Sequence, residues 1–225
     1  VADLGGRTDI PSINFPPLDL AHFVTQSRLE MRTKMGIDQN SFVVTYMGSL
    51  FTFSGLIQVV SNFAALSEPT DRLVIIGGGD IANELKQKAK ELNIEAKVIF
   101  TGVINYSDLP DYLSVSDVLI NPFESILVTN LALPHKVLQY LATGIPTVST
   151  ELSGLFHSLG NEAGIYWVNS PELVIGACIK LKHETLNEKI ASTELGKEFV
   201  NHHFSRSATL NSFLSTLMTS TTKHH

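Results

Sequence analysis

Leu73-Val74-Ile75-Ile76-Gly77-Gly78-Gly79-Asp80 is a short apolar run that ends in three glycines and leads into a helical pattern. The run Phe42-Val43-Val44-Thr45-Tyr46-Met47 has the same form and ends at Gly48. Three further runs of this kind follow along the chain, at Val98–Thr101, Val118–Ile120 and Thr147–Ser149. All five are nearly continuous in apolar residues, which is typical of strands buried on both faces. We therefore predict five strands of one buried parallel sheet.

Helical patterns separate these runs. Residues 54–65 repeat apolar side chains at helical spacing, at Leu56, Val59, Val60 and Phe63. Asp80 is a suitable N-cap for a second helix, and Ser170-Pro171 combines a cap with a first-turn proline. Shorter helices are predicted after Ser107 and over Lys136–Thr143. Alternating strands and helices predict a three-layer, Rossmann-like α/β domain that binds ligands at the carboxyl ends of its strands.

Composition excludes several classes of protein. The 225 residues are 44% hydrophobic and 17% charged, which is typical of a globular chain. Sixteen Lys and Arg against twenty-two Asp and Glu give a net charge of −6, so a general nucleic-acid binder is disfavoured. The single Cys178 lies in an apolar run, where an inert buried thiol is expected and no disulfide framework is possible. No His, Cys or carboxylate cluster has the spacing of a metal site.

Two glycine-containing loops follow the first two predicted strands. Gly48 and Ser49 begin a small-residue turn that continues through Ser54 and Gly55, where hydroxyls and N–H groups could meet a diphosphate. A plain strand-to-helix turn with Ser54 as its cap is the alternative. The second loop, Gly77-Gly78-Gly79-Asp80, is suitably placed for a phosphate but lacks the dinucleotide fingerprint.

Charged candidates follow the fourth predicted strand. Glu124 lies just past the strand end, where a carboxylate could bind sugar hydroxyls, or it is simply solvated. Lys136 lies at a helix start, where a cation opposes the helix dipole unless it faces an anion. His135 could be a base or a phosphate donor, although a histidine without a placed partner is more often an ordinary loop residue. Ile165–Val168 alternates like a strand, so its aromatic residues favour core packing.

Several segments in register resemble the C-terminal, donor-binding domain of the group 1, family 4-like, retaining glycosyltransferases, which have the two-domain GT-B fold. The resemblance runs from about residue 16 to about residue 205, in the order of the family's motifs. The matching segments are Pro16–Phe23, Tyr46-Met47-Gly48, Leu73–Gly79, Val98–Val103, Ser116–Pro122 and Pro134–Val148. The last of these follows the family's Pro-x-Lys, Glu-Tyr-x-Ala and Gly-x-Pro-Val-Val pattern.

The resemblance implies a hexosyltransferase that uses a nucleotide-sugar as donor substrate, with retention and without a metal or another cofactor. It implies that Glu124 meets the sugar and that Lys136 shares in neutralising the leaving diphosphate, as the catalytic pair. The implied donor-binding residues are Gly48 and Ser49 at the diphosphate, Val103 and Ile104 at the base, and Gln139 at the ribose. Gly79 is a further implied donor-binding residue.

The resemblance also implies a domain organisation. Residues 1–40 would be an interdomain linker and first helical segment, and residues 41–203 the Rossmann-like nucleotide-sugar-binding domain. Residues 204–225 would be a crossover helix and tail, in which Leu210, Phe213, Leu214 and Leu217 pack against the other half of the enzyme. We expect that acceptor-binding half to precede Val1, which leaves the isolated domain inactive. The family's setting is polysaccharide or glycolipid assembly, so we expect a cytoplasmic protein with peripheral membrane association through the N-terminal domain.

Three positions depart from the family's pattern. The two cations that clamp the donor diphosphate are replaced by Ser49 and Ser54, and the ribose-binding glutamate is replaced by Gln139. These departures keep a second hypothesis open, in which the chain is a non-catalytic GT-B module that binds a sugar or supports a partner transferase. A GT-B epimerase or phosphorylase is a third, weaker hypothesis.

Overall fold

A computed structural model describes residues 17–23 and 28–221, with side chains through residue 215. Six parallel strands form one sheet, in the order β3-β2-β1-β4-β5-β6. They are β1 Val43–Met47, β2 Arg72–Ile76, β3 Val98–Gly102, β4 Val118–Asn121, β5 Thr147–Thr150 and β6 Tyr166–Val168. The five predicted strands and the Rossmann-like α/β class are confirmed. The sixth strand is the alternating segment, which adds a half-buried edge next to β5.

Ten helices accompany the sheet in the described part of the chain. They are α1 Arg28–Lys34, α2 Leu56–Leu66, α3 Ala82–Glu91, α4 Leu109–Ser114, α5 Leu127–Leu131, α6 His135–Thr143, α7 Ser153–Leu159, α8 Pro171–Lys182, α9 Leu186–Phe204 and α10 Arg206–Thr221. Short 3-10 turns lie at Leu20–Phe23, Thr52–Ser54, Glu95–Lys97 and Tyr106–Asp108. The expectation that Asp80 caps α3 is wrong, because this helix begins at Ala82 after Ile81 and has no side-chain cap.

The sheet separates two hydrophobic cores. Within β2, Val74 and Ile76 face the core formed with α1, α4, α6, α7 and α9, whereas Leu73 and Ile75 face the core formed with α2, α3 and α8. Cys178 is a free, buried thiol in the second core, as expected. This alternation explains why the strand sequences are apolar on both faces.

At the amino ends of the strands, Arg32 joins α1 to the sheet. Its side chain is 1% exposed, and its Nε and Nη2 donate to the Val115 carbonyl at 2.9 and 2.7 Å. Nη1 donates to the carbonyls of Gln39 and Ser41, and Nη2 also reaches Asp117 at 2.9 Å. These contacts, which we call the Arg32 network, secure the entry to β1.

The C-terminal segment is the long helix α10, which includes the helix expected over residues 207–219. Its Leu210, Phe213 and Leu214 are exposed, whereas the Leu217 side chain lies outside the described residues. The role of α10 as a crossover helix and the three domain boundaries stay predictions. Pro16 of the matched segment, and residues 1–15, 24–27 and 222–225, also lie outside the described part. No helix in that part is both long and apolar enough to cross a bilayer.

Candidate donor site

The loops after β1, β2 and β3 enclose a cavity of about 280 Å³ at the carboxyl edge of the sheet. Its walls come from residues 47–49, 76–78, 103–106 and Leu109. The first two loops touch, since a Cβ on Gly77 would lie 2.0 Å from the Gly48 carbonyl oxygen. Gly77 has a φ of +132° and Gly48 one of +140°, so both the close approach and the backbone conformation favour glycine. The glycines therefore shape the floor of the cavity.

The structure brings four of the predicted donor-binding residues to this cavity: Gly48, Ser49, Val103 and Ile104. Gly79 is not among its lining residues, because Gly79 packs on the Leu50 backbone, where a Cβ would stand 2.7 Å from two backbone atoms. Gln139 lies half-buried on α6 and does not line this cavity either. Gly77 and Gly78 line it, although only Gly79 was singled out from the three-glycine run.

Two buried tyrosines hold the end of β1 and the loop that follows it. The Tyr46 hydroxyl donates to the Ser49 carbonyl at 2.8 Å. The Tyr140 hydroxyl accepts a bond from the Met47 N–H at 2.8 Å and donates to the Met47 carbonyl at 3.2 Å. Burial raises the pKa of both phenols, so both keep their protons at neutral pH. Tyr140 thus stabilises the point at which β1 passes into the loop.

The backbone N–H of Gly48 is already hydrogen-bonded, so this residue contributes open space beside the loop and not a free N–H group. Its N–H donates to the Ile76 carbonyl at 2.9 Å and therefore belongs to the sheet. A Cβ at this position would stand 3.4 Å from the Tyr46 hydroxyl and 3.6 Å from the Lys136 Nζ. A larger side chain would consequently fill the space between the loop and this amine.

Lys136 is the second residue of α6, and its side chain is only 8% exposed. Its Nζ lies 3.7 Å from the ring centroid of Phe123 and 4.1 Å from that of Tyr46. The amine has no hydrogen-bond partner among the described residues. Burial lowers the pKa of Lys136 well below its ordinary value. An amine of this kind, without a partner at the positive end of a helix, is suited to meet an anion.

Glu124 is half-buried in the loop after β4, directly after Phe123. Its carboxylate accepts a hydrogen bond from Gln58 Nε2 at 3.0 Å, and its N–H donates to the Phe53 carbonyl at 2.9 Å. The residue is therefore tied to α2 and to the turn before that helix. Phe123, the residue before Glu124, is also the ring nearest to the Lys136 Nζ, at 3.7 Å from its centroid.

The remaining candidates differ in exposure. Ser49 is exposed at the cavity, whereas Ser54 is fully buried with its hydroxyl unpaired in the described part of the chain. Ser54 does not line the cavity, and as the last residue of a 3-10 turn it is not the cap of α2. His135 begins α6, and its buried Nε2 has no partner among residues 17–23 and 28–221. Those residues hold no cluster of three or more His, Cys, Asp or Glu side chains that could bind a metal.

Solved structures share this fold. Anabaena HepE, solved in complex with UDP and glucose, superposes with a TM-score of 0.82 at 16% sequence identity, covering 96% of this chain and 59% of HepE. The C-terminal domain of the group 1 family protein LpcC from Francisella tularensis gives a TM-score of 0.70 at 15% identity, covering 84% of this chain and 99% of that domain. The fold is that of the C-terminal half of a GT-B protein.

Sequence comparison gives the family. The family model for "Glycosyl transferases group 1" matches residues 27–206, so the chain belongs to the group 1 glycosyltransferases. The chain is 32% identical over 145 residues to the mannosylfructose-phosphate synthase of Agrobacterium fabrum, an alignment that covers 59% of this chain and 30% of that protein. Across the curated relatives that it matches, the chain covers 27 to 36% of their length.

Proposed function

We propose that this domain binds a nucleotide-sugar and supplies the donor half of a hexosyltransferase that acts with retention. The observation that carries the proposal is the buried amine of Lys136, which has no partner among the described residues and lies beside the Gly48 loop. The family and the UDP complex of the structurally similar HepE support a nucleotide-sugar as the ligand. Lys136 does not itself line the cavity, but its Nζ lies 3.6 Å from a Cβ built on Gly48, which does. A buried, unpartnered amine destabilises the folded chain, so its position beside Gly48 favours a role in binding.

The cavity suggests how the donor would lie. The nucleoside would occupy the space beside Val103 and Ile104, with the diphosphate continuing past Gly48 and Ser49 toward Lys136. The sugar would then extend toward Glu124 in the loop after β4. For Gln139, which is half-buried on α6, we keep the prediction of a contact to the ribose.

The reaction breaks the bond between the anomeric carbon and the diphosphate oxygen, which leaves with the bonding electron pair. The acceptor hydroxyl oxygen forms the new bond to the anomeric carbon, and its proton passes to the departing diphosphate oxygen. Retention requires the acceptor to approach from the face that the diphosphate leaves. Lys136 would neutralise the charge that grows on the diphosphate, an electrostatic contribution that is largest in the transition state. Glu124 would orient the sugar through its hydroxyls while Gln58 holds the carboxylate.

Thermal shift and calorimetry with UDP, GDP, ADP, dTDP and their common sugars test the proposal. One nucleotide should stabilise the chain with the concentration dependence RT ln(1 + [L]/Kd). The same nucleotide should fail to bind a Gly48→Trp variant, because the indole would fill the space beside the Lys136 Nζ. Gly36→Trp is the matched control, since Gly36 also has a positive φ but nothing within 4 Å of a Cβ. Unchanged binding by Gly48→Trp would contradict the placement.

A non-catalytic module is the second candidate, and the neutral residues at the family's donor positions favour it. Ser49 and Ser54 carry no charge, and Ser54 is buried away from the cavity. Turnover of any nucleotide-sugar by the full-length protein would exclude this candidate. The acceptor, the expected N-terminal domain and association with the inner face of a membrane stay predictions.

A further inference from the structure

The surroundings of Lys136 contain aromatic rings where an ion pair would be expected. Its Nζ lies between the faces of Phe123 and Tyr46, at 3.7 and 4.1 Å from the ring centroids. We call this arrangement the aromatic slot. Ring faces attract a cation, but they do not replace the hydrogen bonds that an ammonium makes in water. In the slot, a charged Lys136 amine would therefore be poorly stabilised unless an anion paired with it.

None of the titratable groups near the slot is a hydrogen-bond partner of the Lys136 amine in the described part of the chain. Tyr46 on β1 and Tyr140 on α6 are buried phenols with raised pKa values. The Tyr46 hydroxyl bonds to Ser49 in the loop after β1, and the Tyr140 hydroxyl bonds to Met47 at the end of β1. His135 precedes the lysine on α6, and its buried Nε2 is also unpaired within the described residues. Glu124, in the loop after β4, directs its carboxylate to Gln58. Burial alone determines the direction in which the pKa of Lys136 shifts.

We propose that Lys136 takes up a proton from solvent when the donor diphosphate binds, so that binding and protonation of this amine are one coupled event. This inference rests on the proposed function and deepens it. A new N–H bond forms at Nζ with the incoming proton, and the resulting ammonium pairs with a diphosphate oxygen. On release of the nucleotide the ion pair is lost, and the proton returns to solvent.

The coupling has a definite sign. In the free protein, burial lowers the pKa of Lys136, and an adjacent diphosphate would raise it again. Between these two values the bound state holds one more proton than the free state, so the Kd should weaken about tenfold for each pH unit of increase. Below the lower value the amine is already charged, and binding should no longer depend on its ionisation.

Calorimetry with UDP as the probe measures the proton directly. At about pH 8.5 the diphosphate is already fully ionised, since its last ionisation lies near pH ~6. Titrations in two buffers of different ionisation enthalpy, Tris and bicine, should show uptake of protons on binding by the wild-type chain. Lys136→Arg should bind UDP without uptake, because a guanidinium is always charged, and Lys136→Met should bind more weakly, also without uptake. Binding by wild type without proton uptake at any alkaline pH, or equal uptake by Lys136→Met, would overturn the coupling.

A second measurement observes the amine first in the free chain and then with UDP. In NMR spectra of chain labelled at lysine 13Cε, the signal missing from Lys136→Met identifies Lys136. Its titration midpoint in the free chain should lie below those of the surface lysines and should rise when UDP is added. A midpoint equal to theirs would overturn the inference while leaving the proposed function intact. Failure of every nucleotide to bind would overturn both.

Discussion

Two buried basic side chains lie at opposite ends of the sheet, and they have opposite surroundings. Arg32, at the amino ends of the strands, is 1% exposed and donates to four backbone carbonyls, those of Asp38, Gln39, Ser41 and Val115, and to Asp117. Lys136, at the carboxyl ends, is 8% exposed and has no hydrogen-bond partner in the described part of the chain. The fold itself supplies the hydrogen-bond acceptors of Arg32, whereas the partner of Lys136 would come from a ligand.

The residue types fit these two tasks. The planar guanidinium has five donors in a fixed geometry and suits a permanent set of acceptors. An ammonium on a flexible stem changes its pKa readily when it is buried and can respond to an arriving charge. The comparison therefore predicts that removing the two cations will change stability in opposite directions.

Arg32→Met should produce the largest effect. Removing one member of a buried ionic network leaves the other groups unpaired and typically costs about 3 to 5 kcal/mol. Urea denaturation should show a loss of this size. Arg28→Met is the control, since Arg28 is partly exposed and Asp117 keeps its bond to Arg32. A loss below about 1 kcal/mol, the range of exposed pairs, would show that the Arg32 network does not secure β1.

Lys136→Met should increase the free energy of unfolding by about 1 to 3 kcal/mol, because it removes a buried polar group without a partner. The same variant should bind UDP roughly 10- to 100-fold more weakly, the loss expected for a charge-assisted hydrogen bond. Urea denaturation and calorimetry measure the two effects on one sample. A destabilised variant with unchanged affinity would make Lys136 a structural residue like Arg32.

The pH dependence of stability sharpens the same comparison. Because burial lowers the pKa of Lys136, the unfolded chain binds more protons than the folded chain between that value and the ordinary lysine pKa of about 10.4. The contribution of Lys136 to stability should therefore increase with pH through this window. The difference in unfolding free energy between wild type and Lys136→Met should shrink as pH rises there. A constant difference would contradict the lowered pKa.

Tyr140→Phe should have the smallest effect. The change removes the hydroxyl that accepts from the Met47 N–H and donates to the Met47 carbonyl, at a cost of about 1 kcal/mol. UDP affinity should also fall, since this bridge shapes the loop beside Gly48. Tyr112→Phe, on α4, is the matched control, and neither property should change. Equal behaviour of the two variants would show that the bridge does not hold the loop.

The sequence contains enough information for the architecture, because each buried strand is a run of β-branched residues that ends at a glycine or polar turn. The edge strand β6 gave a weaker signal, since it has three residues and only one neighbouring strand. Lys136 was also recognisable, because a cation at a helix start opposes the helix dipole.

Other features depend on contacts between distant parts of the chain. Phe123 and Tyr46 form the aromatic slot although 76 positions separate them from each other in sequence. Gly77 and Gly78 line the cavity and Gly79 does not, because Gly79 packs against the backbone of Leu50. The Arg32 network was not predicted, because its acceptors are mostly backbone carbonyls that carry no sequence signal. Such features follow from tertiary packing rather than from local patterns.

The most direct test of the central claim, that Lys136 is the cation of a diphosphate site, is a calorimetric comparison of UDP with uridine. UDP should bind wild type more tightly than uridine, and the two ligands should bind Lys136→Met with nearly equal affinity. If the preference for UDP survives unchanged in Lys136→Met, the amine does not contact the diphosphate and the claim is contradicted.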